Sequence, residues 1–290
     1  MTLKSAILAT LAYHDIFDYP PTFPQIQKLL VGKTSNTNSL RRGLKVLLKD
    51  KKIGEKDGYY FLKKRRQIVT TRIKRAKSSR KKLNRAYFYS SALKLVPTIK
   101  FVAISGALAM ENSDNNDDID LVVVSSKGSL WTTRFLANLV LWPFKRNPNG
   151  AKVSDKACLN LFLDESALKI RDQNIYMAHE ICQMLPLWNR QGTYQRFIEA
   201  NAWIKKYLPN WAVSSQFKVH SSHREKQSTT NLQLSTVETF LEKFQLWYMR
   251  PKVTTEKIGG KQLFFHPKRT QGQVLASFHK KIKALRIRTT

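Results

Sequence analysis

The chain has 290 residues, 42% of them hydrophobic, which is enough for two or three small domains with real cores. Lys and Arg number 51 against 20 Asp and Glu, a formal charge of +31 that points to a polyanionic partner. Two cysteines, Cys158 and Cys182, argue for plain burial in a reducing, cytoplasmic protein rather than a disulfide framework, and the longest apolar segment, 130–144, carries Arg134 and falls short of the roughly 20 residues a membrane span needs.

Leu3, Ile7, Leu8 and Leu11 recur at helical spacing, and the following His14, Asp15 and Asp18 argue against a signal peptide. "DYPPTFPQIQKLL" then predicts a turn, a cap at Thr22 and a second helix with Ile26, Leu29 and Leu30 on one face. "NTNSLRRGLKVLLKDKKI" predicts a third, capped by Thr37, Asn38 or Ser39. Its leucines 40, 44, 47 and 48 turn inward, leaving Arg41, Arg42, Lys45 and Lys49 outward. A hairpin with Asp57-Gly58 at its turn closes the unit. Three helices and a hairpin over residues 1–62 is the order of a winged helix, whose third helix would meet DNA or RNA through those four cations.

Residues 63–96 predict one long basic helix with a narrow apolar stripe, and no acid occurs between Asp57 and Glu111. Arg72 and Arg75 are expected to extend the nucleic-acid-binding surface. From 97 to 190 the pattern alternates: "TIKFVAIS", "IDLVVVS" and "KACLNLFL" read as strands, "SLWTTRFLANLVLWPF" as the crossover helix, and "DQNIYMAHEICQML" as a closing helix. Residues 191–290 read as helical, with a polar linker near 213–232, a capping box of Ser235 and Glu238, and a last basic helix. His220 and His223 have a metal-like spacing but lack clustered partner ligands. The fold class is therefore α+β: a winged helix, a small central sheet and C-terminal helices.

Chemistry concentrates in "AISGALAMENSDNNDDIDLVVVSS". Asp118 and Asp120, two positions apart on a strand, share one face. Two such carboxylates repel unless a cation lies between them, and hard divalent ions favour carboxylates together with substrate phosphates. Strand, Ser-Gly, a loop, then Asp-Ile-Asp opening a second strand resembles the DNA polymerase beta superfamily of nucleotidyltransferases, over roughly residues 98–165. With its winged helix the chain resembles uncharacterised prokaryotic nucleotidyltransferase-domain proteins. The resemblance implies Mg2+ (or Mn2+) on Asp118 and Asp120, a nucleoside triphosphate held near Ser105, Gly106 and Ala107, and a third acid on the third strand. Ala107 stands where the motif carries serine, and alternation puts Asn160 where it carries that acid. The implied function is transfer of a nucleoside monophosphate to an unknown acceptor; the alternative is a nucleic-acid-binding protein with a non-catalytic fold. Attachment to anionic membranes through 63–85 and 130–144 ranks third, because the apolar helix is better used against the sheet.

Overall fold

In a computed structural model the residues described are 1–146, 153–213, 231–250, 257–265 and 268–287. The mixed architecture, 52% helix and 17% strand, is α+β. His220, His223 and most of the polar 213–232 stretch lie outside the described residues.

The first unit is built as its sequence reads. Helix α1 (Leu3–Asp15), α2 (Phe23–Lys28) and α3 (Thr37–Lys49) precede the hairpin β1 (Ile53–Lys56) and β2 (Tyr59–Leu62). Thr22 and Gln25 form a reciprocal capping box on α2. The α3 cap is Asn36, one residue before the expected three, and its side chain accepts from the Ser39 N–H at 2.9 Å. Asp57 and Gly58 both take positive φ, as a two-residue hairpin turn requires. A bridge from Thr22 to Tyr59 ties the hairpin to the start of α2.

Helix α4 (Ile68–Leu93) runs from this unit to a six-stranded sheet. The strands are β3 (Ile99–Ile104), β4 (Ile119–Ser125), β5 (Ala157–Asp164), β6 (Leu185–Asn189), β7 (Lys257–Gly259) and β8 (Gln262–Phe264), in the order β6-β3-β4-β5-β8-β7. Only β4 and β5 are parallel, joined by α6 (Leu130–Val140), while a short α5 (Gly106–Ala109) follows β3. Three of these strands depart from the sequence reading. Pro186 argues against a strand, yet β6 is an edge strand, where a missing N–H costs no ladder bond. The β7–β8 hairpin comes from a segment whose pattern reads as helical.

Each face of the sheet has its own core. On one, Val102, Ile104, Leu121 and Val123 pack with Leu93 of α4, Trp131 of α6 and Met249 of α9 (Asn231–Met249). On the other, Phe101, Ala103, Val122 and Val124 join Ile7 and Leu11 of α1, Ile175 and Ala178 of α7 (Ile175–Gln183), Phe197 of α8 (Thr193–Ala200) and Phe278 of α10 (Lys268–Ala284). The winged helix and the C-terminal helices therefore share one continuous core with the sheet. Helix α9 starts at Asn231, ahead of the expected capping box. Glu238 instead caps a neighbour, accepting from the Trp131 and Thr132 N–H groups at 2.6 and 2.9 Å. Among the described residues no helix is long and apolar enough to cross a membrane.

Candidate metal and nucleotide site

The site forms where β3 ends and β4 begins. The Ser105 N–H donates to the Asp120 carbonyl at 3.0 Å, extending the β3–β4 ladder by one bond. The chain then turns at Gly106 with φ +64, a left-handed conformation that favours glycine. A Cβ there would lie 2.7 Å from Asp120 Oδ2, so only glycine lets the backbone pass this close to the carboxylate. Ala107 is exposed beside it, and the Ser105 hydroxyl is buried with no partner.

Strand β5 supplies Cys158 as a third ligand-type side chain beside the two aspartates. Asp120 pairs in register with Cys158, Leu121 with Leu159, and Val122 with Leu161. Asn160 is the extra residue of a β-bulge, so it steps out of the alternating count. Ligand atoms of Asp118, Asp120 and Cys158 all lie within 4.8 Å of one another. Asn160 lines a neighbouring cavity with Ser105 and Val122.

Burial, and next the charge of Asp118, pushes the Asp120 carboxyl up to about 7. Burial likewise raises the Cys158 thiol, with Asp120 and Asp118 adding to the effect. The donor set therefore fits a divalent cation: two oxygens that repel each other would both be satisfied by it, with a sulfur at hand. Arg146 supplies the positive charge beside them, donating to Asp118 at 2.8 Å and also bonding Cys158.

The remaining acids belong to the loop between α5 and β4, and helix α4 holds that loop. Lys82, buried, donates to the carbonyls of Asn115 and Asp117 at 3.1 and 2.5 Å and pairs with Asp155 at 3.0 Å. Arg72 is only 4% exposed; it donates to the Glu111 carbonyl at 2.6 Å and to the Tyr19 hydroxyl, and stacks over the Tyr19 ring. Arg75 donates to the Phe17 carbonyl and faces Asp114. The expectation of Arg72 and Arg75 on a nucleic-acid surface is thus corrected: both are turned inward, and Lys74, Lys77, Arg80 and Lys81 form the outer face. Arg41, Arg42, Lys45 and Lys49 are exposed on α3 as expected, with Arg41 resting over the Phe23 ring.

A cavity of about 1480 Å³ opens from Ser105 and Asn160 between α7, α8 and the β7–β8 hairpin. Tyr176 and Glu180 stand on its α7 wall. Burial raises the Tyr176 phenol, with the charges of Glu180 and Asp120 adding to it, which places this wall within electrostatic reach of the carboxylate pair. Sequence reading misses Cys158, Arg146 and Tyr176. A bulge leaves no mark in a one-chain pattern, and neither Arg146 nor Tyr176 lies near the motif in sequence. Compared with family models, curated proteins and solved structures, the chain matches none.

Proposed function

We propose that the chain is a divalent-cation-dependent nucleotidyltransferase, moving a nucleoside monophosphate from a triphosphate to an acceptor hydroxyl. The observation that carries this reading is the approach of the Gly106 turn to Asp120, which places an unobstructed backbone beside a paired carboxylate site. Asp118 and Asp120 would hold Mg2+ or Mn2+, which when bound neutralises charge on the phosphates. Gly106, having no Cβ, leaves room for the phosphates to come against the turn. The Ser105 hydroxyl, buried without a partner and lining the cavity, would donate to one of their oxygens. The cavity beyond Asn160 has room for the nucleoside or a small acceptor, and the exposed cations of α3 suit a nucleic-acid acceptor. The acceptor hydroxyl attacks the α-phosphorus, the bond to the bridging oxygen breaks, and pyrophosphate leaves.

A second reading has specific support. Asn160 stands where the resemblance puts an acid, burial keeps the neighbouring Cys158 thiol protonated, and Arg146 neutralises Asp118. Those features favour a nucleic-acid-binding protein that holds a nucleotide without turning it over. Incubation with labelled triphosphates, Mg2+ or Mn2+, and RNA, DNA or protein acceptors separates the two. Transfer that is lost in the Asp118→Asn, Asp120→Asn double variant supports the enzyme; transfer that survives it sinks the mechanism.

A further inference from the structure

Helices α6 and α9 each carry two apolar stripes, and the sheet uses only one of them. On α6, Leu130, Trp131 and Ala137 are buried against the sheet, as a crossover helix requires. Phe135 and Leu139, spaced i, i+4, face outward, and Trp142 is exposed in the 3-10 turn (Trp142–Phe144) that follows the helix. On α9, Leu241, Leu246 and Met249 pack inward, while Phe240, Phe244 and Trp247 follow one another along the outer face. The exposure is large: 76% for Trp142, 73% for Trp247, 65% for Phe240 and 60% for Leu139. The Phe240, Phe244 and Trp247 rings contact one another in series, so the α9 stripe is continuous rather than scattered. Apolar patches of this kind on a folded chain mark contact surfaces.

Three side chains, Glu238, Gln245 and Arg134, lock the two helices together. Glu238 caps the first turn of α6, the Gln245 amide donates to the Trp131 carbonyl at 2.8 Å, and Arg134 donates to Gln245. Both acids of α9, Glu238 and Glu242, are half-buried, while Lys243 and, just past the helix, Arg250 are exposed.

We propose that the exposed aromatic stripe of α9, with the outward apolar residues of α6 and the turn after it, docks on an anionic lipid surface. The aromatic rings would sit at the level of the headgroups, where Trp and its neighbours are favoured, with Lys243 and Arg250 reaching lipid phosphates. Charge selects this occupant over a second copy of the chain, since each copy carries a formal +31 and two copies repel. The same charge draws the protein to an anionic bilayer before the rings insert.

The test is flotation of the full chain with phosphatidylcholine vesicles, with and without phosphatidylglycerol, read also by tryptophan emission. The expected result is binding to the anionic vesicles only, with a blue shift, and at least a tenfold loss in Phe240→Ser/Trp247→Ser and in Leu139→Ser/Trp142→Ser. These substitutions keep the charge and touch exposed positions, and circular dichroism confirms that they fold. Absence of flotation overturns the proposal, as does flotation that the serine variants leave unchanged. A dimer, or binding to single-stranded nucleic acid, that the serine variants abolish while vesicle binding is absent would reassign the patch.

Discussion

The Arg146 guanidinium donates to the Asp118 carboxylate at 2.8 Å and occupies the charge-neutralising place beside the site. Arg146 is half-exposed, so the pair is screened and worth at most about 1 kcal/mol. A divalent ion bound by Asp118 would compete with it for the carboxylate's charge. Arg146→Gln is therefore expected to tighten Mn2+ binding by up to about fivefold, measured by titration calorimetry. Weaker binding in that variant would mean that Arg146 helps hold the ligand instead of competing with the ion.

Gly106→Ala tests the close approach of backbone and carboxylate. Alanine at φ +64 costs about 1–2 kcal/mol, and its Cβ would push Asp120 out of position. Gly58→Ala is the control for backbone strain alone, because Gly58 has φ +79 and open space for 4 Å around the point where a Cβ would stand. Both variants should lose thermal stability, but only Gly106→Ala should lose divalent-ion and nucleotide binding, by at least tenfold. Equal ion affinity in the two would remove Gly106 from the site.

Cys158→Asp places a third carboxylate in the cluster. Unpaired, it adds repulsion to Asp118 and Asp120, so the ion-free protein should melt lower than wild type. With Mg2+ in excess the order should narrow or reverse, since an ion present at about 100 times its dissociation constant stabilises by about 2.7 kcal/mol. Differential scanning fluorimetry with and without Mg2+ reads both effects. Cys158→Ser should show neither.

The α3 cations give a separate forecast. Arg41→Glu, Arg42→Glu and Lys45→Glu together should weaken nucleic-acid binding and flatten its dependence on salt, because fewer counterions are released. Arg80→Glu with Lys81→Glu, on the outer face of α4, compares a second basic surface. Fluorescence anisotropy at two salt concentrations distinguishes them; no change from the α3 triple variant removes the winged helix as the reader.

The last forecast concerns pH. His14 and His179 are fully buried against each other and against Tyr13, with His179 stacked on the Tyr13 ring at 3.7 Å. Glu180 also acts on Tyr13, Tyr19 stacks on His14, and Phe278 packs from α10. Burial lowers His14 to about 4, only partly offset by its bond to the Thr10 carbonyl, and lowers His179 well below its ordinary value. The unfolded chain therefore binds protons that the folded one refuses. Stability should fall as pH drops from about 6.5 towards 4, by roughly 1.4 kcal/mol per unit of displacement. Asp120, displaced upward, acts in the opposite sense over the same window, so the comparison with His179→Phe isolates the imidazole. Urea unfolding at pH 7.5 and 5.0 should show a smaller loss in the variant.

Much of the architecture is legible where local signals and burial agree. The α3 leucines, the Asp57-Gly58 turn and the apolar run after Asp120 each fix a local conformation by themselves. What escapes the sequence is set by partners distant along the chain. Leu185–Asn189 becomes a strand because β3 offers an edge, and Gln262–Phe264 because β5 does. Arg72, Lys82 and Arg75 look like surface charge until the acidic loop folds down on α4 and takes them. Within the site, the two aspartates follow from strand periodicity, whereas the place of Cys158 beside Asp120 depends on the register between β4 and β5, which shifts by one residue at Asn160.

Asp15 accepts from Lys281 at 2.5 Å, a bond spanning 266 positions, and α10 covers the face of α1 that holds Tyr13. On the ribosome, the first helices emerge long before the segment that covers them. The winged helix is then a provisional fold during synthesis, with apolar surface open to chaperones until α10 arrives. Removing residues 268–290 should leave the N-terminal helices prone to aggregation even though every element of their own is present. The fold of the first helices is thus completed by a segment more than 250 residues further along the chain, a long-range contact of the kind that costs loop-closure entropy.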